Sequence, residues 1–161
     1  TSIGEYAFTG CNSLERVTIG NGVTLIENRA FSVCQSLTSV TIPDSVTTIG
    51  HAAFGYCESL QSVTIGDSVT TIGDYAFYGN PSITTIEIPK NTSIIGEYSF
   101  ANCSNLLSVY CKPIEPPAYA EQAFANNAQG RKIYVPKKSL ATYKKAEYWR
   151  YFADDIVGYD F

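Results

Sequence analysis

The chain contains no methionine, one tryptophan and one histidine among its 161 residues. A single histidine without a partnered nucleophile cannot form a catalytic triad, so we do not expect His51 to be catalytic. The sequence also lacks a glycine-rich phosphate loop and a GxSxG nucleophile elbow. Together, these absences argue against an enzyme.

Charged residues are scarce, at 16% of the sequence against about 25% in an average soluble domain. The net charge is −4, without the basic surface that nucleic-acid-binding proteins carry. No apolar run reaches the ~18 residues that a membrane-spanning helix needs. We therefore expect no nucleic-acid partner and no membrane span in this chain.

The five cysteines form no CxxC pair and no cluster with histidine, so no zinc site is expected. Four of them, Cys11, Cys34, Cys57 and Cys103, recur at one position of a repeat, and Cys111 falls in an apolar column. Buried cysteine behaves as a small hydrophobic residue. We predict buried free thiols, no metal and no cofactor.

What the sequence has in abundance is self-similarity. The segment SLTSVTIPDSVTTIGHAAFGYC, residues 36–57, returns nearly unchanged 23 residues later. Two apolar columns keep the same 23-residue interval: Ile3, Ile26, Ile49, Ile72 and Ile95, and Phe8, Phe31, Phe54, Phe77 and Phe100. Phe124 continues the second column after 24 residues. A fixed period of this length indicates a solenoid, because one unit cannot bury its own apolar side and must stack on its neighbours.

Each unit contains two patterns. LxxVxI ends in apolar–polar alternation, which predicts a short strand with one buried face, and the following proline or glycine ends that strand. IGxxAFxxC places apolar residues at i, i+4, i+5 and i+8, close to the spacing of one helical face. We therefore predict a unit of strand, turn, short helix and return.

The full phrase SLxSVTIPxSVTxIGxxAFxxC resembles the BspA-like leucine-rich repeats of bacterial and some protist surface proteins. The resemblance covers Thr1 to about Asn127 through five consecutive units. It is interrupted by Asn80–Pro81, where cysteine is expected, and by the proline-rich CKPIEPPAYAEQAF. It implies an α/β leucine-rich-repeat solenoid, with parallel strands on the concave side, short helices on the convex side and a C-terminal cap.

We expect one domain, with repeats in residues 1–130 and a cap in residues 131–161. KIYV, residues 132–135, predicts a further strand, and a helix after Ser139 would bring Trp149 and its aromatic neighbours over the last repeat. The closing segment also resembles the one that often ends such arrays in gut bacteria. Because the chain begins in mid-unit, we expect further repeats upstream of Thr1.

The exposed strand positions are monotonous over the first units, with serine and threonine predominating. Glu87, Tyr110 and Lys112 break this monotony on the face that solenoids use for binding. We interpret the three as a ligand-binding patch that offers an acceptor, an aromatic platform and a donor. The threonine ladder also suggests ice binding, but a curved sheet is a poor match to a flat lattice.

A further column contains Tyr6, Tyr75 and Tyr98 on the opposite side of the unit. Because a repeated position is usually architectural, we interpret these tyrosines as half-buried packing residues of the convex side. A role of these tyrosines in binding is the less favoured hypothesis, although tyrosine is common in binding surfaces.

The resemblance implies a non-enzymatic recognition or adhesion module of a secreted or cell-surface bacterial protein, with a protein or glycan partner outside the cell. Two alternatives remain open. A structural spacer predicts no saturable ligand, and an accessory module of a surface carbohydrate-active protein predicts a catalytic domain upstream of Thr1.

Overall fold

A computed structural model describes all residues, Thr1–Phe161. The chain winds into a solenoid in which all paired strands run parallel, with one break in the pairing, between Ser62–Ile65 and Thr85–Ile88. The strands are β1 Ser2–Ile3, β2 Arg16–Thr18, β3 Leu25–Ile26, β4 Ser39–Ile42, β5 Thr48–Ile49, β6 Ser62–Ile65, β7 Thr71–Ile72, β8 Thr85–Ile88, β9 Ile94–Ile95, β10 Ser108–Cys111, β11 Lys132–Pro136 and β12 Ile156–Tyr159. The only α-helix, α1, spans Leu140–Lys145, and 3₁₀ helices span Lys137–Ser139 and Trp149–Phe152.

The longer strands lie on the concave side, and the two-residue strands form a second sheet in the order β1-β3-β5-β7-β9. The register follows the repeat, so that Val40 lies opposite Val63 and Ile49 opposite Ile72. Identical residues therefore stack in successive coils. This arrangement confirms the solenoid that the 23-residue period predicts.

The concave strands divide into two sheets, β2-β4-β6 and β12-β11-β10-β8. Strands β6 and β8 lie next to each other without forming a hydrogen-bonded ladder. At this seam Val63 is partly exposed and Ile65 is 9% exposed, whereas Ile42 and Ile88 are exposed by 1% and 0%. The seam is therefore a discontinuity in an otherwise regular concave face.

The convex segments consist of turns, whereas short helices were expected from the sequence. Every second amide bonds to the next coil, as Ala52 does to Asp74 at 2.9 Å and Phe54 to Ala76 at 2.8 Å. The amides between them close local turns, as Gly55 does onto Ala52 at 3.1 Å. The apolar spacing of one helical face is kept, but half of the amides stabilise the stacking of coils.

The phenylalanine column forms the centre of the core. Consecutive rings from Phe8 to Phe124 lie 5.1, 5.2, 5.3, 5.3 and 5.7 Å apart, with planes within 6° of parallel. All but the first of these side chains are essentially inaccessible, while Phe8 in the first coil is 43% exposed. Stacking of successive aromatic rings adds to the apolar area that each coil buries.

The phenylalanine backbone carbonyls are bonded by side chains further along the chain, about one coil away for the first five carbonyls and seven residues away for the last. The donors and carbonyls pair as Cys34 with Phe8, Cys57 with Phe31, Asn80 with Phe54, Cys103 with Phe77, Asn127 with Phe100, and Arg131 with Phe124. We call these six donors the carbonyl-bonding column. Asn80, which departs from the cysteine pattern, thus makes the hydrogen bond that cysteine makes elsewhere.

After the last repeat, Trp149 and Tyr143 are fully buried and their rings meet edge to face at 4.9 Å. The Trp149 indole donates to the Pro117 carbonyl at 2.7 Å, and the Tyr143 hydroxyl donates to the Pro113 carbonyl at 2.8 Å. Both bonds anchor the C-terminal segment to the proline-rich coil. No helix in the chain is both long and apolar enough to span a membrane.

Candidate functional site

The three residues selected from the sequence lie together on the concave face. Tyr110 in β10 is the register partner of Glu87 in β8. Lys112 follows β10, and its ammonium group bonds to the Glu87 carboxylate. The acceptor and the donor expected from the sequence are therefore paired with each other, and the patch offers a neutral ion pair beside an aromatic ring.

Three further aromatic residues, which were not predicted from the sequence, extend this site. Tyr134 in β11 stacks on Tyr110 with ring centres 4.8 Å apart and planes 15° from parallel. Tyr159 in β12 meets both rings edge to face at 5.5 Å, and Phe161 lies 5.0 Å from Tyr159. We call Tyr110, Tyr134, Tyr159 and Phe161 the aromatic patch.

The sequence contained a signal for Tyr134. Continuing the column Thr18, Thr41, Thr64, Glu87 and Tyr110 by 24 residues, the interval at which Phe124 follows Phe100, leads to Tyr134. Tyr159 gave no such signal, because its register partner is Pro136 and it lies outside the column.

Most of the charged residues beside the aromatic patch form pairs of opposite sign, and Lys138 is the exception. Glu87 pairs with Lys112 on one side, and Lys137 with Asp160 on the other. Such exposed pairs contribute little to stability, typically 0–1 kcal/mol. Their balanced charge leaves the aromatic rings as the distinctive feature of the surface.

Two shallow cavities border the patch. One has a volume of about 590 Å³ and lies between Glu87, Tyr110 and Phe161. The second, of about 410 Å³, lies between Lys112, Lys137 and Phe161. The cavities share Lys112, Asp160 and the exposed Tyr159. A partner could therefore contact both ion pairs and the rings at once.

The remaining candidate residues lie elsewhere. His51 is on the convex side, tilted against the Tyr75 ring at 5.6 Å. Cys34, Cys57, Cys103 and Cys111 are buried, and Cys11 is partly exposed. No three histidine, cysteine or carboxylate side chains cluster in a way that could hold a metal ion.

The family model for the BspA type leucine-rich repeat region matches the chain in six copies, over residues 1–106 and 24–148. The chain belongs to the BspA-type leucine-rich repeat family. No curated protein matches it. Members of this family are built from stacked repeats whose extended surfaces suit protein interaction, and no catalytic centre is part of the repeat.

Solved structures of bacterial leucine-rich repeat proteins are similar to this fold. A leucine-rich repeat protein of T. pallidum has a TM-score of 0.65 and 29% identity, with 71% of this chain and 52% of that chain covered. A leucine-rich cell-surface protein of Faecalibacterium prausnitzii has a TM-score of 0.58 and 28% identity, with 86% and 53% covered. A leucine-rich repeat protein of Bacteroides ovatus has a TM-score of 0.61 and 26% identity, with 83% of this chain and 42% of that chain covered. The chain thus spans about half the length of these relatives.

Proposed function

We propose that this chain is a non-enzymatic recognition module of a bacterial protein exposed outside the cell, and that it mediates adhesion by binding a partner protein. The observation that carries the proposal is the aromatic patch beside the Glu87–Lys112 pair. Exposed tyrosines are enriched at protein interfaces because they are large, rigid and amphipathic. The cell-surface description of the F. prausnitzii relative supports the location.

The patch is built from both parts of the chain. Tyr110 belongs to the repeats, for which we propose residues 1–130, while Tyr134, Tyr159 and Phe161 belong to the proposed cap, residues 131–161. The cap thereby has a second role besides covering the last coil. A protein partner is favoured over a glycan because four of the charged groups beside the rings are paired with each other, which leaves Lys138 as the free charge of the second cavity for sugar hydroxyls.

The test is a binding screen of the purified chain on arrays of extracellular-matrix proteins and of glycans. The triple variant Glu87→Thr, Tyr110→Thr, Lys112→Gly restores the residue types of the other repeats. We expect it to remain folded and to lose at least about tenfold in affinity, the factor for 1.4 kcal/mol. Tyr159→Thr, outside the column, should have a similar effect.

The matched control is Thr41→Ser, which changes the residue on β4 in the same column as Glu87 and Tyr110 and should bind like the parent. Equal affinity of the parent and the triple variant would place the site elsewhere. Binding restricted to the glycan array would refute a protein partner.

A further inference from the structure

A second surface feature lies on the convex side. Six residues at equivalent positions of successive coils have left-handed backbone, with φ between 47° and 58°: Tyr6, Arg29, Ala52, Tyr75, Tyr98 and Gln122. We call them the left-handed column. Glycine adopts this conformation without strain, whereas other residues incur an energetic cost there. Tyrosine at three of the six positions is therefore not explained by backbone preference.

Side chains of the left-handed column stack along the solenoid. Tyr75 and Tyr98 lie 5.3 Å apart with planes 25° from parallel. The Arg29 guanidinium lies 5.6 Å from the Tyr6 ring centre and donates to the Tyr6 hydroxyl at 3.0 Å. Ala52, between these two pairs, has no side chain that could continue the stack.

The interruption at Ala52 coincides with a cavity of about 510 Å³. Its walls include Tyr6, Arg29, Val33, His51, Tyr56 and Tyr75. Arg29 and Tyr75 are two coils apart, and strands of adjacent coils are spaced by ~4.8 Å. A planar ring between them would lie about 5 Å from each, close to the 5.3 Å that separates Tyr75 from Tyr98.

We infer that this cavity binds the side chain of a tyrosine or tryptophan exposed on a partner protein, which completes the stack in place of the missing side chain at position 52. Charge complementarity selects the occupant. The Arg29 guanidinium favours the electron-rich face of an aromatic ring, and tryptophan and tyrosine are the best such partners. A lysine or arginine of the partner would be repelled by Arg29, and no carboxylate side chain lines the cavity to offset that repulsion.

His51 and Tyr56 shape the entrance. The His51 ring tilts by 57° against Tyr75, and Tyr56, which is 52% exposed, meets Tyr78 edge to face at 5.3 Å. An incoming ring thus meets Arg29 on one side and aromatic rings on the other. This site is on the convex side and does not depend on the function proposed for the concave face.

The test uses two capped tripeptides, N-acetyl-Gly-Trp-Gly-amide and N-acetyl-Gly-Leu-Gly-amide, titrated into the ¹⁵N-labelled chain. Amide chemical shifts of Ala52, Gly55 and Tyr56 report binding. We expect the tryptophan peptide to bind at least about tenfold more tightly than the leucine peptide, a difference of 1.4 kcal/mol. Equal affinities, or shifts confined to the concave face, would overturn the inference.

Two substitutions to tyrosine form a matched pair. Ala52→Tyr fills the gap at a backbone angle that Tyr75 already adopts, and it should abolish the shifts caused by the tryptophan peptide. Gln122→Tyr adds the same side chain to the same column three coils away and should leave them unchanged. If both variants bind like the parent, the cavity is not the site.

Two further variants keep the test decisive if Ala52→Tyr fails to fold. Ala52→Gly relieves the left-handed strain and preserves the gap, so its affinity should stay within about twofold of the parent. Arg29→Ala removes the cationic wall and should weaken binding of the tryptophan peptide about two- to fivefold, the factor for an exposed cation–π contact of ~0.5–1 kcal/mol. Unchanged affinity in Arg29→Ala would refute the proposed role of the guanidinium.

Discussion

The side-chain amide of Asn80 donates a hydrogen bond to the backbone carbonyl of Phe54 at 2.9 Å. One coil earlier, the thiol of Cys57 bonds to the carbonyl of Phe31 at 3.2 Å. The fixed requirement at this position is therefore a small donor for a buried carbonyl. Leaving such a carbonyl without a partner typically costs ~1–3 kcal/mol.

Exchange of donors in the carbonyl-bonding column should be tolerated, whereas loss of the donor should not. We expect Cys57→Asn, which keeps a donor, to lower the free energy of unfolding less than Cys57→Val, which is slightly larger, has no donor and should lower it by about 1–3 kcal/mol. Urea denaturation measures both. If the valine variant were as stable as the asparagine variant, the hydrogen bond would not matter.

Alkaline pH should destabilise the fold through the buried thiols. Burial raises the pKa of Cys103 to about 12, from about 9 in the unfolded chain. Between these values the unfolded chain loses the proton that the folded chain keeps, so the free energy of unfolding falls as pH rises, by roughly 1 kcal/mol per pH unit. Below about pH 9 this group contributes no pH dependence.

The matched variant for this prediction is Cys103→Asn, which removes the titrating group and retains a donor. Urea denaturation between about pH 8 and about pH 10.5 should show a shallower loss of stability in the variant than in the parent. Parallel pH profiles would show that the alkaline sensitivity comes from other groups.

Thiol reagents should separate one cysteine from the other four. Only Cys11 is partly exposed, while Cys34 and the remaining three are 0% exposed. Burial denies the reagent access to Cys34, Cys57, Cys103 and Cys111. We expect one fast equivalent of labelling, abolished in Cys11→Ser, and four more on denaturation. Two fast equivalents would contradict this.

Removal of Trp149 should destabilise the whole array. The side chain is fully buried and bonded to Pro117, and truncation of a large buried aromatic residue to alanine costs ~3–5 kcal/mol. We expect Trp149→Ala to lower the melting temperature by at least about 6 °C, at ~2–4 °C per kcal/mol for a chain of this size. Tyr151→Ala, which removes a side chain that is 71% exposed, is the control and should melt with the parent.

The solenoid could be predicted because its physical cause, the regular spacing of apolar residues, is visible in the sequence. Residues such as Ile49 and Phe54 recur at a fixed interval, and stacking is the only way to bury them all. The convex turns could not be predicted in the same way. Amides such as that of Ala52 bond to the next coil, and the apolar spacing alone cannot distinguish this from a helix.

The candidate site was predictable only in part. Glu87, Tyr110 and Lys112 are visible as departures from a repeat, and the structure brings them together. Their pairing into a salt bridge was not visible, because it depends on where Lys112 points after β10 ends. Tyr159 was also out of reach, because its place over Tyr110 follows from the path of residues 137–155, which carry no repeat.

The seam between β6 and β8 interrupts only one side of the solenoid. On the other side β7 and β9 remain paired across it, and the Phe77 and Phe100 rings remain stacked. Bending of the solenoid at the seam, about an axis near the intact sheet, would therefore break no hydrogen bond between strands. A change in the curvature of the concave face, to fit a flatter or more curved ligand, would be concentrated at the seam. There the part of the face lined by serine and threonine meets the part that carries the aromatic patch.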